Sequence, residues 1–279
     1  MRGLLEGKVS IITGASHGIG EATAVAFAKA GEKVVLAARS ERALEGVART
    51  IENGGGSALV APTDVTDPAS VKRLVDLTLE RFGRLDAAFN NAGGGHALAP
   101  LAEIPVEDYD RTISVNARGT FLWMKYEIPA MLRTGGGAIV NMSSTAGLQG
   151  VNGLAGYVAG KHAVIGLSRA AAMDYAVENI RINVVAPGPI LTEHLADPRI
   201  RERAALAVPM GRAGGREEVA TVVAWLCSDL SSFVTGVVIP VDGGRLSGGR
   251  FERPSATSAA APALAKTAEE AGRGAPKEA

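Results

Sequence analysis

Short, mostly apolar runs alternate along this chain with longer segments whose apolar positions recur every three or four residues. Val9–Ile12, Val34–Ala37, Ala58–Ala61, Leu85–Phe89, Ala138–Met142, Arg181–Val185 and Val237–Val241 read as strands. Their near-continuous hydrophobicity suits strands buried on both faces. Between them an Ala-rich helical segment runs from Glu21 to a stop at Gly31. Ser40 caps a helix whose Leu44, Val47, Ala48 and Ile51 follow the 3.6-residue period. Asp67-Pro68 starts another, with Val71, Leu74, Val75 and Phe82 on one face and Gly83 as its stop. One long helix is predicted over Val106–Leu132, one from the region of Tyr157 to about Val177, and one over Glu217–Leu226. The alternation predicts an α/β fold: a doubly wound, Rossmann-type parallel sheet of about seven strands, helices on both faces, right-handed crossovers. One domain is expected over residues 1–245. The tail, 246–279, is rich in Ala, Pro, Gly and Ser and reads as disordered.

Composition narrows the classes. Apolar residues make up 47% of the 279, enough for a sizeable core. Lys+Arg and Asp+Glu both number 29, which argues against nucleic-acid binding. The single cysteine, Cys227, excludes an internal disulfide and reads as a small core residue. The charged start and the absence of a long apolar run point to a cytoplasmic protein with no membrane span. His96, His162 and His194 have no metal-ligand spacing, so no metal is assigned.

Candidate chemistry begins at Tyr157-Val158-Ala159-Gly160-Lys161. Nothing between Arg133 and Lys161 is ionised at neutral pH, so the ammonium closes a long uncharged stretch. On a helix, positions four apart share a face, and a cation beside a phenol draws its pKa down toward neutrality. Such a pair can trade a proton near pH 7; an interfacial tyrosine beside a solvated lysine is the plainer alternative. A second candidate is Thr13-Gly14-Ala15-Ser16-His17-Gly18-Ile19-Gly20, between the first strand and first helix. Its glycines let backbone approach a phosphate at a helix N-terminus. The spacing Gly-x-x-x-Gly-x-Gly is neither the usual dinucleotide fingerprint nor a P-loop. At the end of the second strand stands Ala38-Arg39-Ser40, with no acid to hold a ribose 2′-hydroxyl. The Arg39 guanidinium there favours a 2′-phosphate, hence NADP over NAD, and His17 adds to it.

Four features occur in order: Thr13-Gly14-x-x-x-Gly18-Ile19-Gly20, Asn90-Asn91-Ala92-Gly93, Ser144, and Tyr157-x-x-x-Lys161. Together they resemble the short-chain dehydrogenase/reductase family over about Leu5 to Gly244. Asn116, Pro187-Gly188 and Val241-Asp242-Gly243-Gly244 match as well. The resemblance implies that Tyr157 exchanges the proton at the substrate oxygen and that Lys161 holds the nicotinamide ribose and acidifies the phenol. It implies that Ser144, thirteen residues before Tyr157, bonds the substrate carbonyl, with Ser143 as the neighbouring candidate. It makes Asn116 the anchor of a water reaching Lys161. Cofactor contacts are expected from the glycine turn (Gly14, Ser16, His17, Gly18, Ile19, Gly20) and from Arg39, Asp64 and Val65. Asn91, Ala92 and Gly93, the catalytic Tyr157 and Lys161, and Pro187, Gly188, Ile190 and Thr192 complete that expectation. Asn90 and Asn91 can equally pin strand ends, Asn116 can bond only to backbone, and Asp64 can serve a turn. Gly160 departs from the family, which usually has serine there, and a looser helix is the expected consequence.

The reading is an NAD(P)-dependent oxidoreductase moving a hydride between the nicotinamide and a small-molecule carbonyl or secondary alcohol. The rivals are 3-oxoacyl-thioester (acyl-carrier-protein) reduction, an epimerase or dehydratase on the same fold, and an NADP-binding regulator without chemistry. The pocket is expected from Gly94–Pro105, Thr145–Gly156 and Ile190–Gly211, with His96, Gln149, Asn152 and His194 among Leu98, Leu148, Val151, Leu154 and Leu195. Arg199, Arg201 and Arg203 read as a solvated helix face. The resemblance further implies a homo-oligomer, tetramer or dimer, with helices around Val106–Leu132 and Ala155–Val177 at an interface.

Overall fold

A computed structural model of the chain describes residues 3–192 and 197–248. His194 and Leu195, expected in the pocket, and the tail beyond Gly248 lie outside the described residues. Up to that point Leu246 and Ser247 belong to a short 3₁₀ turn, Arg245–Ser247.

Seven parallel strands form the main sheet: β1 (Val9–Thr13), β2 (Lys33–Ala38), β3 (Ser57–Pro62), β4 (Ala87–Asn90), β5 (Gly137–Met142), β6 (Ile180–Pro187) and, last in sequence, β9 (Val238–Val241). Their order is β3-β2-β1-β4-β5-β6-β9. The chain winds outward from β1 in one direction, then returns to β4 and winds in the other. That reversal opens a crevice above the carboxyl ends of β1 and β4, where this architecture takes its ligands.

Because neighbouring strand residues point to opposite faces, each strand feeds two cores. Ile12, Leu36, Phe89, Val140 and Val185 face α1 (Gly18–Lys29), α2 (Glu41–Asn53) and α8 (Arg216–Cys227). Ile11, Val35, Ala88, Ile139 and Ile182 face α3 (Pro68–Phe82), α5 (Gly119–Leu132) and α6 (Ala155–Tyr175). Cys227 is buried in the first core, as its composition suggested. Ser40 accepts from the Ala43 N–H and Asp67 from the Ala69 and Ser70 N–H groups, so both helix starts fall where the capping residues placed them. No helix among the described residues is long and apolar enough to cross a membrane.

Two segments differ from expectation. The helix predicted over Val106–Leu132 is interrupted: α4 (Val106–Ile113) passes through a π-turn, Ser114–Arg118, before α5. Asn116 lies in this turn, and its side-chain amide donates to the Thr112 carbonyl of α4 at 2.8 Å. The second difference follows β6. A two-residue ribbon pairs β7 (Ile190–Leu191) with β8 (Gly214–Gly215), and α7 (Pro198–Leu206) lies between them. Two-residue strands carry no periodic signal. The solvated helix face read at Arg199, Arg201 and Arg203 is α7, which buries none of its residues and is capped by Asp197.

Candidate active site

Every sequence-predicted site residue among those described lies beyond the carboxyl end of a main-sheet strand or on the helices above it. After β1 the chain turns at Gly14, in the left-handed region (φ +63°). A Cβ on Gly20 would overlap the Gly14 carbonyl and lie 2.7 Å from Asn91 Nδ2, so the turn closes only with glycine there. Asn91 Nδ2 donates to the carbonyls of Thr13 (3.0 Å) and Gly14 (3.3 Å), and the Ala92 N–H donates to Thr13 Oγ1. Asn91 therefore ties the β4 end to the glycine turn. Asn90, next to it, faces the other way and donates to Glu127 Oε2 and Asn141 Oδ1 inside the core. The N-cap of α1, His17, supplies no side-chain cap; its ring meets the Ser16 hydroxyl at 3.0 Å. The free first-turn N–H groups and bare backbone could hold a pyrophosphate.

Arg39 stands exposed beyond β2, and Asp64 beyond β3. The Asp64 carboxylate accepts from the backbone and hydroxyl of Thr66, which hold it below its ordinary range with further help from Arg39. Asp64 thus makes the hydrogen bonds of a turn from an exposed position. Val65 packs half-buried near Gly119. After β6, the Gly188 N–H donates to the Val241 carbonyl, Ile190 is buried in β7, and Thr192 ends the described stretch half-buried.

On α6, Tyr157 and Lys161 share a face, with Lys161 Nζ 5.6 Å from the phenol ring centroid. Lys161 is only 3% exposed, and its ammonium donates to the Met142 carbonyl at 2.9 Å. Burial lowers its pKa to about 8. The phenol moves opposite to expectation: burial raises the Tyr157 pKa, and the Ser144 hydroxyl pulls it back only in part, short of a formed hydrogen bond. In the protein alone the desolvation of a phenolate outweighs a neighbouring ammonium that is itself buried and turned toward a carbonyl.

The two serines make different contacts. Ser143 is buried and donates to the Lys161 carbonyl at 2.9 Å, which pins α6 to β5. Ser144 stays half-buried beside the phenol, its oxygen accepting from the Ala146 N–H. Asn116 donates to the Gly94 carbonyl (2.6 Å) and the Thr112 carbonyl, so both amide donors do go to backbone. Its Oδ1 is buried with no partner among the described residues. A Cβ at Gly93 would sit 2.7 Å from that oxygen and 2.9 Å from Lys161 Nζ, which places the two side chains around one backbone point. At Gly160 a Cβ would lie 3.1 Å from the Asn116 Cβ; the glycine seats α6 against the π-turn rather than loosening it.

Three contacts were not foreseen in the sequence, though His96 itself was among the expected pocket residues. The Met142 carbonyl that holds Lys161 is backbone and leaves no residue signal. Glu127 is fully buried under the β4 and β5 ends, and burial raises its pKa to about 8, against a smaller opposite pull from Asn90. A lone acid in the apolar stretch Phe121–Leu132 was its one available sign. His96 accepts from the Gly156 N–H at the start of α6, across a sixty-residue gap in sequence.

A family profile described as Enoyl-(Acyl carrier protein) reductase matches residues 14–245. An A-factor type γ-butyrolactone 1′-reductase (1S-forming) from Streptomyces virginiae is 43% identical over 249 residues, 87% of this chain and 97% of the relative. Cyclohexanol dehydrogenase from Acinetobacter sp. (strain SE19) is 45% identical over 85% of this chain and 94% of its own. A cis-4-hydroxycyclohexanecarboxylate dehydrogenase from Sinomonas cyclohexanicum is 42% identical, covering 85% and 96%. Among solved structures, a short-chain type dehydrogenase/reductase from Mycobacterium marinum superimposes with a TM-score of 0.83 at 36% identity, over 88% of this chain and 97% of that one. A structure from Beutenbergia cavernae, assigned as an NAD(P) dependent gluconate 5-dehydrogenase and holding NADP at low occupancy, gives 0.82 at 34% identity, covering 88% and 98%.

Proposed function

The chain belongs to the short-chain dehydrogenase/reductase family and is an oxidoreductase of CH–OH groups, and on that premise we propose that it interconverts a neutral alicyclic secondary alcohol and its ketone with NADP. The observation that carries the chemistry is the convergence of Lys161 Nζ, the Tyr157 ring and Ser144 beside one crevice. A bound nicotinamide supplies the hydride to the carbonyl carbon or accepts it from the carbinol. In reduction, negative charge grows on the substrate oxygen. Tyr157 donates the proton to that oxygen and the Ser144 hydroxyl donates a hydrogen bond to it. Lys161, held by the Met142 carbonyl, sits within reach of the phenol, and the open Oδ1 of Asn116 is an acceptor for a water beside it.

Two observations support the substrate class. Of the expected pocket segments, Thr145–Gly156 contains no acid, lysine or arginine and Gly94–Pro105 only Glu103, which suits an uncharged ring there, while Ile190–Gly211 carries charges of both signs. Two of the relatives carry cyclohexane alcohols in their names, one neutral and one a carboxylate, which supports the ring rather than its charge. Support for NADP comes from Arg39, exposed beyond β2 with no acid on that strand end. Arg39→Ala should raise the KM for NADPH by about tenfold or more and leave NADH unaffected. A homo-oligomer is part of the proposal, supported by the exposed Phe121 and Leu132 on α5 and Met173 on α6; light scattering tests it.

The deciding measurement is a spectrophotometric assay with NADPH and NADH against cyclohexanone, an acetoacetyl thioester and a γ-butyrolactone ketone, with cyclohexanol run in reverse. Turnover of the cyclohexane pair ahead of the thioester supports the reading. A preference for the thioester would move the assignment to 3-oxoacyl-thioester reduction, the activity in the name of a Thermotoga maritima relative 41% identical over 86% of this chain.

A further inference from the structure

We propose that His96 is a positioning residue for the catalytic helix: its neutral ring caps the start of α6 and fastens the Gly94–Ala99 loop beside Tyr157. The proposal rests on Tyr157 being the proton donor described above. A helix begins with N–H groups that have no partner inside it. The N-cap of α6, Leu154, offers no side-chain acceptor. The Gly156 N–H instead donates to His96 Nε2 at 3.2 Å. His96 Nδ1 lies 2.7 Å from the Ala97 carbonyl oxygen. A carbonyl can only accept, so Nδ1 carries the proton and Nε2 presents a lone pair. The two contacts together fix the tautomer and the ring orientation. With both nitrogens committed, His96 is not free to act as an acid or base, and it is not a catalytic residue.

The surroundings are built for this ring. A Cβ at Gly156 would lie 3.1 Å from both Cδ2 and Nε2 of His96 and 3.2 Å from the Tyr109 ring. Those distances are tighter than ordinary carbon contacts, so the missing side chain is what admits the histidine. A second tie runs parallel, from the Ala99 N–H to the Gly153 carbonyl at 3.1 Å. Farther back, the Gly94 carbonyl accepts from Asn116 Nδ2. Between these anchors Gly95 comes into van der Waals range of the Tyr157 ring, a Cβ there standing 3.5 Å from Cδ2. The loop is thus a bracket over the phenol, bolted at one end to Asn116 and at the other to the residue before Tyr157. Loss of the His96 contact frees the bracket and the first turn of the helix together, and a shift of the order of 1 Å at a reacting group can cost up to about a hundredfold in rate.

The test compares wild type, His96→Ala, His96→Gln and Gly156→Ala by steady-state kinetics, thermal melting and amide hydrogen exchange at residue 156. The expected result for His96→Ala is a kcat lower by about tenfold or more, an unchanged KM for NADPH and faster exchange of the Gly156 N–H. His96→Gln, whose amide oxygen can accept the same bond, should recover part of the kcat and of the protection. Gly156→Ala should lower kcat in the same direction with the histidine intact, which covers the case of an unstable His96→Ala protein. Unchanged exchange at residue 156, a kcat within twofold of wild type in His96→Ala, or no rescue by glutamine would overturn the proposal. The exchange measurement needs no turnover. Retained activity in Tyr157→Phe would instead overturn the reading on which the proposal rests, so the two failures are distinguishable.

Discussion

The two ends of the sheet each bury an ionisable side chain, and they use it differently. At the carboxyl end Lys161 is 3% exposed and burial draws its pKa down to about 8. At the amino end Glu32 is 2% exposed, and burial raises its carboxyl well above the ordinary range. The Ser10 hydroxyl opposes that rise short of a formed hydrogen bond, and Asp86 adds to it. In a parallel α/β fold the helices start above the carboxyl ends of the strands and finish at the amino ends. The first region therefore sees positive helix termini, the second negative ones. Glu32 follows the C-terminus of α1, its N–H bonded to the Phe27 carbonyl, with both side-chain oxygens unpartnered among the described residues. It is a sealed filler whose burial favours the uncharged carboxyl. Lys161 has Tyr157 beside it, and the open Oδ1 of Asn116 lies across Gly93, at the base of a crevice. The same desolvation falls on an isolated carboxyl at one end and, at the other, on an ammonium that has a phenol beside it.

The largest expected effect that sharpens this contrast is at the phenol. Tyr157→Phe should lower kcat by about 10²–10⁴-fold with cofactor affinity intact, measured by steady-state assay and fluorescence titration. Residual turnover within a few-fold of wild type would erase the distinction between the two ends. Next is Lys161→Met, which should reduce turnover and also flatten an alkaline stability trend. With a folded pKa of about 8 against roughly 10.4 unfolded, the unfolded chain holds the proton longer. Wild-type stability from this group is therefore present above about pH 10 and lost as pH falls through 8. Denaturant midpoints of the cofactor-free protein between pH 7.5 and 10.5 read it out.

Glu127→Gln tests the buried acid beneath the site. Its folded pKa of about 8 lies above the roughly 4.3 of an unfolded glutamate, so its contribution is full below about pH 4.3 and is lost as pH rises through 8. The glutamine variant should lack that decline in melting temperature, since its amide cannot titrate. The smallest effect belongs to the far end. Glu32→Gln should leave kcat unchanged and alter stability at pH 7 by about 1 kcal/mol, in the stabilising direction, because no buried carboxyl then needs to hold a proton. A fall in kcat there would mean the amino end is coupled to the chemistry.

Local signals explain why so much was legible. Val9–Thr13 and Lys33–Ala38 are apolar throughout or nearly so, and Ser40, Asp67-Pro68 and Gly83 punctuate helices through bonds a few residues long. The motif residues sit at strand ends, so correct strands delivered Gly14, Arg39, Asp64, Asn91 and Ser144 to one edge of the sheet. The errors arose where a distant partner decides. Asn116, in the π-turn, bonds the distant Gly94 carbonyl, and the β7–β8 ribbon joins residues more than twenty apart.

The sequence by itself determined the alternation of strands and helices, the edge on which the chemistry gathers and the shared face of Tyr157 and Lys161, because periodicity and capping act over one or two turns. Only the tertiary structure decided which way burial moves the phenol, which serine is bonded to α6, and what His96 and Glu127 contact. Each of those depends on how much water the fold removes and on contacts brought together by chain reversal, and neither quantity is written in any short stretch of residues.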